Sequence, residues 1–319
     1  MSEREVKSGS LAGLTLPTRA EIDAAVRPFI SKRMPISSAE WKEIFDREAR
    51  KERKIYRKQK WRSILPWRKQ ARPQTLVSDH YETHWTEIPW PKTTGASADE
   101  KGVVSIWNDE GMLIRRYGRK RAHHLLFARV VRELKPRTAL EVGCGNGINL
   151  LIMATLFPEV QWTGVELTEA GVQTGKSIQK EAELPAVLRE FSPEAPVDVT
   201  AHQRVTLRQG DASKLPFAEG EFDLVFSFQA LEQMNAIRDA AVSEMARVAK
   251  RWVGCTEPFA EWNKSEIQEH YMKARGYLDL SVDELPKFGL KPILVFGDWP
   301  QKLQSGAGMV VGEKSITAS

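Results

Sequence analysis

From about residue 104 the apolar positions of the chain switch between two periods. TALEV (138–142), VQWTGVEL (160–167), RVTLRQGD (204–211), FDLVFSF (222–228) and RWVGCTEP (251–258) are short apolar runs of strand length. GINLLIMATLF (147–157), EAGVQTGKSIQKEAEL (169–184) and IRDAAVSEMARVAK (237–250) repeat their apolar residues at helical spacing. A further helix is predicted over 110–133, ahead of Pro136. Strands that alternate with helices imply right-handed crossovers and a parallel sheet. PILVFGDW and AGMVVGEK, near the end, have no helix between them and are expected to pair antiparallel. The class is α/β, and ligands of such open sheets bind beyond the carboxyl ends of the strands.

Upstream the pattern is different. A short helix is expected at 18–27, and a long one from Ser37 or Ser38, with Trp41, Ile44, Phe45, Ala49, Ile55 and Tyr56 at helical spacing and Pro66 as its stop. Residues 73–103, rich in Pro, Thr, Ser and Gly and holding Trp85 and Trp90, read as a loop wrapping the next domain. The expected organisation is an N-terminal basic helical accessory region, 1–103, and a catalytic-type α/β domain, 104–319.

Charge sharpens that division. Residues 50–72 hold eleven Lys or Arg against one Glu, so the net +5 of the chain belongs to one segment, and the remainder is 36 basic against 41 acidic. A local basic block points to an anionic partner: a membrane surface with Trp41, Trp61 and Trp67 at headgroup level, or a nucleic acid backbone, or else a solvated helix docked by its apolar stripe. No apolar run is long enough to span a membrane and the N-terminus has no secretory h-region, so a cytoplasmic setting, peripheral to a membrane in the first reading, is expected. Cys144 and Cys255 lie far apart and read as free thiols.

The chemistry centres on LEVGCGNGINL at 140–150. A dinucleotide fingerprint needs glycines at positions 1, 3 and 6. Counted from Gly143 the third position is Gly145, but the third glycine is Gly147, at position 5, and no Lys-Ser/Thr pair follows to make a P-loop. E-V-G-x-G-x-G on a first strand resembles the first motif of class I S-adenosylmethionine-dependent methyltransferases. Glu166 ends the second strand, GDASKLPF (210–217) follows the third, and FDLVFSFQALEQM (222–234) and EMARVAK (244–250) resemble the subgroup of ubiquinone and menaquinone biosynthesis methyltransferases.

The resemblance covers about 104–315. It implies a Rossmann-like, doubly wound, mostly parallel seven-stranded sheet with an antiparallel last strand, and S-adenosyl-L-methionine as cofactor. It implies that Glu141, Gly143, Gly145, Asn146 and Gly147 hold the aminoacid tail and ribose. Glu166 and Leu167 would take the ribose, Asp211 and Ala212 the adenine, and Ser227 and Phe228 the wall at the fourth strand.

The sequence departs from the subgroup where Gln233 replaces a common His and where Lys250-Arg251-Trp252 replaces a Pro-Gly-Gly turn. Ser227-Phe228-Gln229-Ala230 is not the N/D-P-P-Y/F tetrapeptide of enzymes that methylate adenine or glutamine nitrogen, which disfavours those acceptors. The expected acceptor is a small molecule, a sugar or a lipid-linked compound, modified at oxygen or carbon. An RNA methyltransferase using the basic arm and a non-catalytic binding protein are the alternatives. His270, Tyr271 and Glu232 are the catalytic candidates. One of His123 and His124 is expected to face inward, and His80 and His84 are read as loop residues, with no metal site. The insert at 185–203 is a candidate cover for the cleft.

Overall fold

The computed structural model describes residues 11–63, 74–87 and 102–315; Pro66, Trp67 and Trp90 lie outside them. The first helix, α1 (Arg19–Val26), starts at a capping box in which Thr18 and Glu21 bond each other's backbone, and it buries Ile22, Ala25 and Val26. Strand β1 (Ile30–Pro35) comes next, then the long α2 (Ala39–Ser63), whose first turn is capped by Ser38 Oγ accepting from the Trp41 N–H at 3.1 Å.

Residues 74–87 form a helix, α3 (Gln74–Glu87), where the composition predicts a loop, so His80 and His84 are helical neighbours. Its sequence has no clear apolar stripe, and its contacts run to the helix at 169–179. The expected helix over 110–133 is also corrected. β2 (Val103–Trp107) and β3 (Glu110–Ile114) form a hairpin, and α4 (Lys120–Leu134) begins only at Lys120. Asn108 and Asp109, both at positive φ, make the two-residue turn that suits a hairpin's twist. Both His123 and His124 are buried, not one of them, because α4 is enclosed on nearly every side.

The main sheet then builds in the expected alternation: β4 (Thr138–Val142), α5 (Ile148–Leu156), β5 (Gln161–Glu166), α6 (Glu169–Gln179), the short α7 (Ala186–Arg189), β6 (Thr206–Gln209), β7 (Phe222–Phe228), α8 (Arg238–Val248) and β8 (Ala249–Glu257). After α9 (Glu266–Arg275) come β9 (Leu290–Phe296), β10 (Gln301–Lys302) and β11 (Gly308–Lys314). The seven strands lie in the order β6-β5-β4-β7-β8-β11-β9, with β11 antiparallel to both neighbours. A second sheet, β1-β3-β2-β10, draws strands from both sides of the 103/104 boundary, and β10 joins it by pairing Lys302 with Ser105. The insert does not reach the cleft: Phe191 is buried against Phe29, with ring centroids 5.3 Å apart, and α7 packs on α5.

Helix α2 spends its apolar stripe on the domain. Trp41 is buried with Met34, Val104, Ile267 and Leu303, so it is not available to a membrane surface. Tyr56 stacks on His270 at 4.4 Å, and Arg275 Nη1 donates to Glu52 Oε2 at 2.8 Å, where Glu52 is 1% exposed. Trp61, near the far end, is 75% exposed. Among the described residues no helix is long and apolar enough to cross a membrane.

Candidate functional site

The turn after β4 is built on three left-handed residues, Gly143, Gly145 and Gly147, with φ of 71°, 56° and 74°. Residues with a Cβ avoid that region, at a cost of about 1–2 kcal/mol each. Space forbids a side chain as well. A Cβ on Gly143 would stand 2.5 Å from the Ala230 Cβ, and one on Gly145 would stand 2.9 Å from the Trp85 indole. The N–H groups of Gly143 and Cys144 both donate to the Val165 carbonyl, at 2.8 and 3.0 Å, which ties the turn to the tip of β5.

Two carboxylates flank it. Glu166 Oε2 accepts from the Gly145 N–H at 3.0 Å, and Oε1 accepts from the Thr168 N–H at 3.1 Å and hydroxyl at 2.7 Å. Glu141 is fully buried. Its Oε1 accepts from Asn149 Nδ2 at 2.7 Å, while Oε2 has no partner among the described residues. Burial raises its pKa to about 8, against the Asn149 bond and the charge of Lys120, and Glu166 adds to the rise. The Asn149 Oδ1 in turn accepts from Lys120 Nζ at 3.1 Å and lies 3.1 Å from His124 Nε2, whose Nδ1 is 3.0 Å from the Phe191 carbonyl. Burial lowers the His124 pKa to about 4. A neutral ring donates once, so only one of these two contacts is a hydrogen bond.

Gly143, Gly145, Glu166, Asn149 and Lys120 line one cleft of about 1130 Å³ including its mouth. Tyr81 and Trp85 of α3 form part of its wall, as do Tyr117 and Lys120, the glycine turn, the tip of β5, Gly210 and Ala212, and the segment 228–234. Helix α3 is fixed there by Glu82 Oε1, which accepts from the Ala170 N–H at 3.2 Å. Among the described residues, Tyr117 and Gln229 are two of five non-glycine residues at positive φ, and both are on the wall; the others form the Asn108–Asp109 turn and the Lys135 end of α4. Such strain persists only where its surroundings enforce it. For Gln229 that enforcement includes Glu257, a buried carboxylate accepting from the N–H groups of Ala230, Leu231 and Glu232 at 2.9, 3.2 and 3.2 Å. Burial and Glu232 raise its pKa to about 8, while the bonds from Ala230 and Leu231 pull it down.

Of the residues singled out in the sequence, Gly143, Gly145, Asn146, Glu166, Leu167, Ala212, Phe228 and Glu232 lie on the cleft wall. Glu141 and Gly147 adjoin it through the turn. Asp211 lies between two wall residues, and its Oδ1 accepts from the Ser213 N–H and hydroxyl, both at 2.8 Å. Ser227 is buried near the end of β7 and off the wall. His270 is off the wall too, held against Tyr56 and 3.8 Å from Glu266. Tyr271 packs on Tyr277 with ring centroids 5.7 Å apart, and the Arg275 guanidinium lies 3.6 Å from its ring centre. Burial raises the pKa of Glu232. Among the described residues no group of three His, Cys, Asp or Glu could hold a metal ion, and both cysteines are buried and free.

Lys120 lies in RRYGRKR (115–121), a run whose basic charge the sequence places near the cofactor side; Tyr81, Trp85, Tyr117, Asn149 and Gln229 were missed. Asn149 had a signal: a polar residue in the otherwise apolar first turn of α5, eight positions after Glu141. Tyr81 and Trp85 had a weaker one, being aromatic residues four apart on a helix.

Residues 140–252 match the family described as methyltransferase domain. Over 117 residues the chain is 32% identical to a probable chloroplastic tocopherol O-methyltransferase of Oryza sativa subsp. japonica, covering 37% of this chain and 27% of that one. It is 28% identical over 117 residues to an ajmaline N-methyltransferase of Rauvolfia serpentina, covering 37% and 34%. The chain thus spans about a third or less of these curated relatives. The solved structure of the [4+2]-cyclase SpnF overlays on 76% of this chain and 96% of its own at a TM-score of 0.50, with 18% sequence identity, a likeness of fold.

Proposed function

We propose that the chain, whose residues 140–252 match a methyltransferase domain, is a class I S-adenosylmethionine-dependent enzyme transferring a methyl group to a small-molecule acceptor. The observation that carries this reading is the unpartnered Glu141 Oε2, buried beside a turn of bare backbone. A buried carboxylate oxygen without a donor is costly, and the ammonium of an aminoacid tail would satisfy it.

The other residues fit the same group. Asn146 Nδ2 and Trp85 Nε1 are also buried donors without an acceptor among the described residues. Asn146 and Lys120 would hold the tail carboxylate. Glu166, already fixed by Gly145 and Thr168, would receive the ribose hydroxyls on its remaining lone pairs. Gly210, Asp211 and Ala212 would meet the adenine, and Trp85 would cover the nucleoside. When bound, the cofactor supplies an electrophilic methyl group on a sulfonium, so the protein mainly positions and desolvates. Glu232, a wall carboxyl whose pKa burial raises, would take a proton from an acceptor hydroxyl.

The names of the relatives, one acting on tocopherol at oxygen and one on ajmaline at nitrogen, support a small-molecule acceptor over RNA. The exposed basic face of α2, which includes Lys51, Lys54, Arg57 and Lys58, supports an anionic surface as partner, a membrane bearing a lipid-linked acceptor ahead of nucleic acid. Calorimetry with S-adenosylhomocysteine, alongside a nicotinamide dinucleotide, tests the pocket. Uptake of the first alone is the expected result. Methyl transfer from S-adenosylmethionine to an extract of small molecules tests the enzyme against a non-catalytic binder.

A further inference from the structure

Beside the cleft the fold gathers cations without matching anions. Arg119 stands immediately before α4, with Nη1 donating to Ser105 Oγ at 3.2 Å. Ser105 pairs in register with Lys302 of β10, so β2 brings the lysine and the arginine to one place. Lys120 is next in sequence, and Glu232, a carboxyl of the cleft wall, faces all three through space. Among the described residues, no carboxylate lies within ion-pair distance of Arg119 or Lys302, whose only polar side-chain bond is the Arg119–Ser105 contact. Both side chains are half-buried. Burial lowers the pKa of Arg119 to about 10 and that of Lys302 to about 8, with Arg119 itself adding to the second shift. Tyr271, on α9, is a further neighbour of Arg119 through space.

Recessed cations are normally paired, because desolvating a charge without a counter-charge is costly. Lys120 also faces Glu141 and Glu257, but Glu232 is the one carboxyl that Arg119 and Lys302 face, and burial pushes that carboxyl toward its neutral form. Lys120 already bonds Asn149 in the network of Glu141, which assigns it to the cofactor tail. Arg119 and Lys302 are left over. A guanidinium fork beside an ammonium suits an oxyanion, which it can grip with two parallel bonds.

We propose that Arg119 and Lys302 form a recognition site for an oxyanion, carboxylate or phosphate, carried by the methyl acceptor, with Tyr271 and Glu232 at its edge. The inference rests on the methyl-transfer reading of the cleft and narrows the acceptor to an anionic compound. Glu232 then serves two ends: it blunts the field of the cations in the free protein, and it stands next to the acceptor once the anion is seated.

The test uses the full chain saturated with S-adenosylhomocysteine. Inorganic phosphate and acetate are titrated separately, each against chloride at matched ionic strength, and melting temperature and affinity are followed. One of the two should stabilise the wild type beyond chloride, phosphate alone pointing to a phosphorylated acceptor and acetate alone to a carboxylated one. Lys302→Met and Arg119→Met should weaken that response by about tenfold or more, while Lys302→Arg should retain it. Affinity for S-adenosylhomocysteine should be unchanged in all three. Lys302→Met should also melt no lower than the wild type in anion-free buffer, since it removes an uncompensated recessed charge. An anion response that survives both methionine variants, or no response beyond chloride in the wild type, overturns the proposal. A lower melting point of Lys302→Met together with an intact response marks a structural lysine and overturns it equally. Failure of the wild type to bind S-adenosylhomocysteine would instead sink the methyl-transfer reading.

Discussion

Trp85 Cζ2 lies 2.9 Å from the point where a Cβ on Gly145 would stand, which sets an aromatic ring of α3 directly against the glycine turn. Glu82, one turn earlier, bonds the start of α6. Helix α3 therefore forms part of the cleft wall. Trp85→Ala is expected to weaken S-adenosylhomocysteine binding about tenfold, about 1.4 kcal/mol, by calorimetry, with little change in melting temperature. Gly145→Ala should weaken it further, since alanine both strains the backbone, by about 1–2 kcal/mol, and displaces the indole. Retained affinity in both variants would mean that α3 does not cover the bound nucleoside.

Glu141 gives a pH signature. Its pKa is raised by folding from 4.5 to about 8, so the folded chain binds this proton more tightly than the unfolded one. The contribution of Glu141 to stability therefore falls as pH climbs through that interval and is flat beyond it. Relative to Glu141→Gln, the wild type should lose melting temperature between about pH 4.5 and about pH 8. The groups facing it are Lys120, Asn149 and Glu166, all retained in the variant, so the difference isolates the carboxyl. An ammonium seated on Oε2 would lower this pKa again. Binding of S-adenosylhomocysteine near neutral pH should then release a proton, visible as a dependence of the calorimetric heat on buffer ionisation that Glu141→Gln lacks.

The docking of α2 is open to a stability measurement. Arg275→Met leaves Glu52 buried without its guanidinium, and breaking one side of a buried pair costs about 3–5 kcal/mol. Arg275 is itself partly exposed, which places the expectation at the lower end of that range. Denaturant unfolding of the full chain measures it. The double variant Glu52→Leu, Arg275→Met should recover most of the loss, because an apolar pair of similar volume removes the unpaired charge.

The outer face of α2 is separable from its inner one. Lys54→Glu with Lys58→Glu changes two exposed residues and should leave the melting temperature and cofactor affinity alone. Each basic residue near an anionic bilayer contributes about 1 kcal/mol, so co-flotation with phosphatidylserine vesicles should fall by at least about tenfold. Equal loss of binding to a single-stranded RNA, with no vesicle binding in the wild type, would favour nucleic acid as the partner.

What could be read from the sequence depended on whether a signal was local. TALEV, GINLLIMATLF and FDLVFSF each carry their period within one element, and each formed as expected. The β2–β3 hairpin was hidden because EGMLIRR continues smoothly into helix-forming residues, so a helix drawn back to 110 absorbed β3; the Asn108-Asp109 pair was the missed sign. Helix α3 lacks a stripe, because what it covers is a cleft rather than a core. Site residues tied to one strand tip, such as Glu141 and Glu166, stood out. Arg119 and Lys302 are 183 positions apart by their numbering and meet only through the pairing of β10 with β2, a juxtaposition no window of sequence contains.

The two-residue strand β10 lies between the last two strands of the main sheet, yet it completes the small sheet begun by residues 30–35. During synthesis, β1, β2 and β3 emerge long before their fourth partner. The small sheet must wait with one edge open until residue 302 has cleared the ribosome, a span of nearly two hundred residues in which an unfilled edge invites mispairing. The pairing of Lys302 with Ser105 is therefore the last contact of the small sheet to become available.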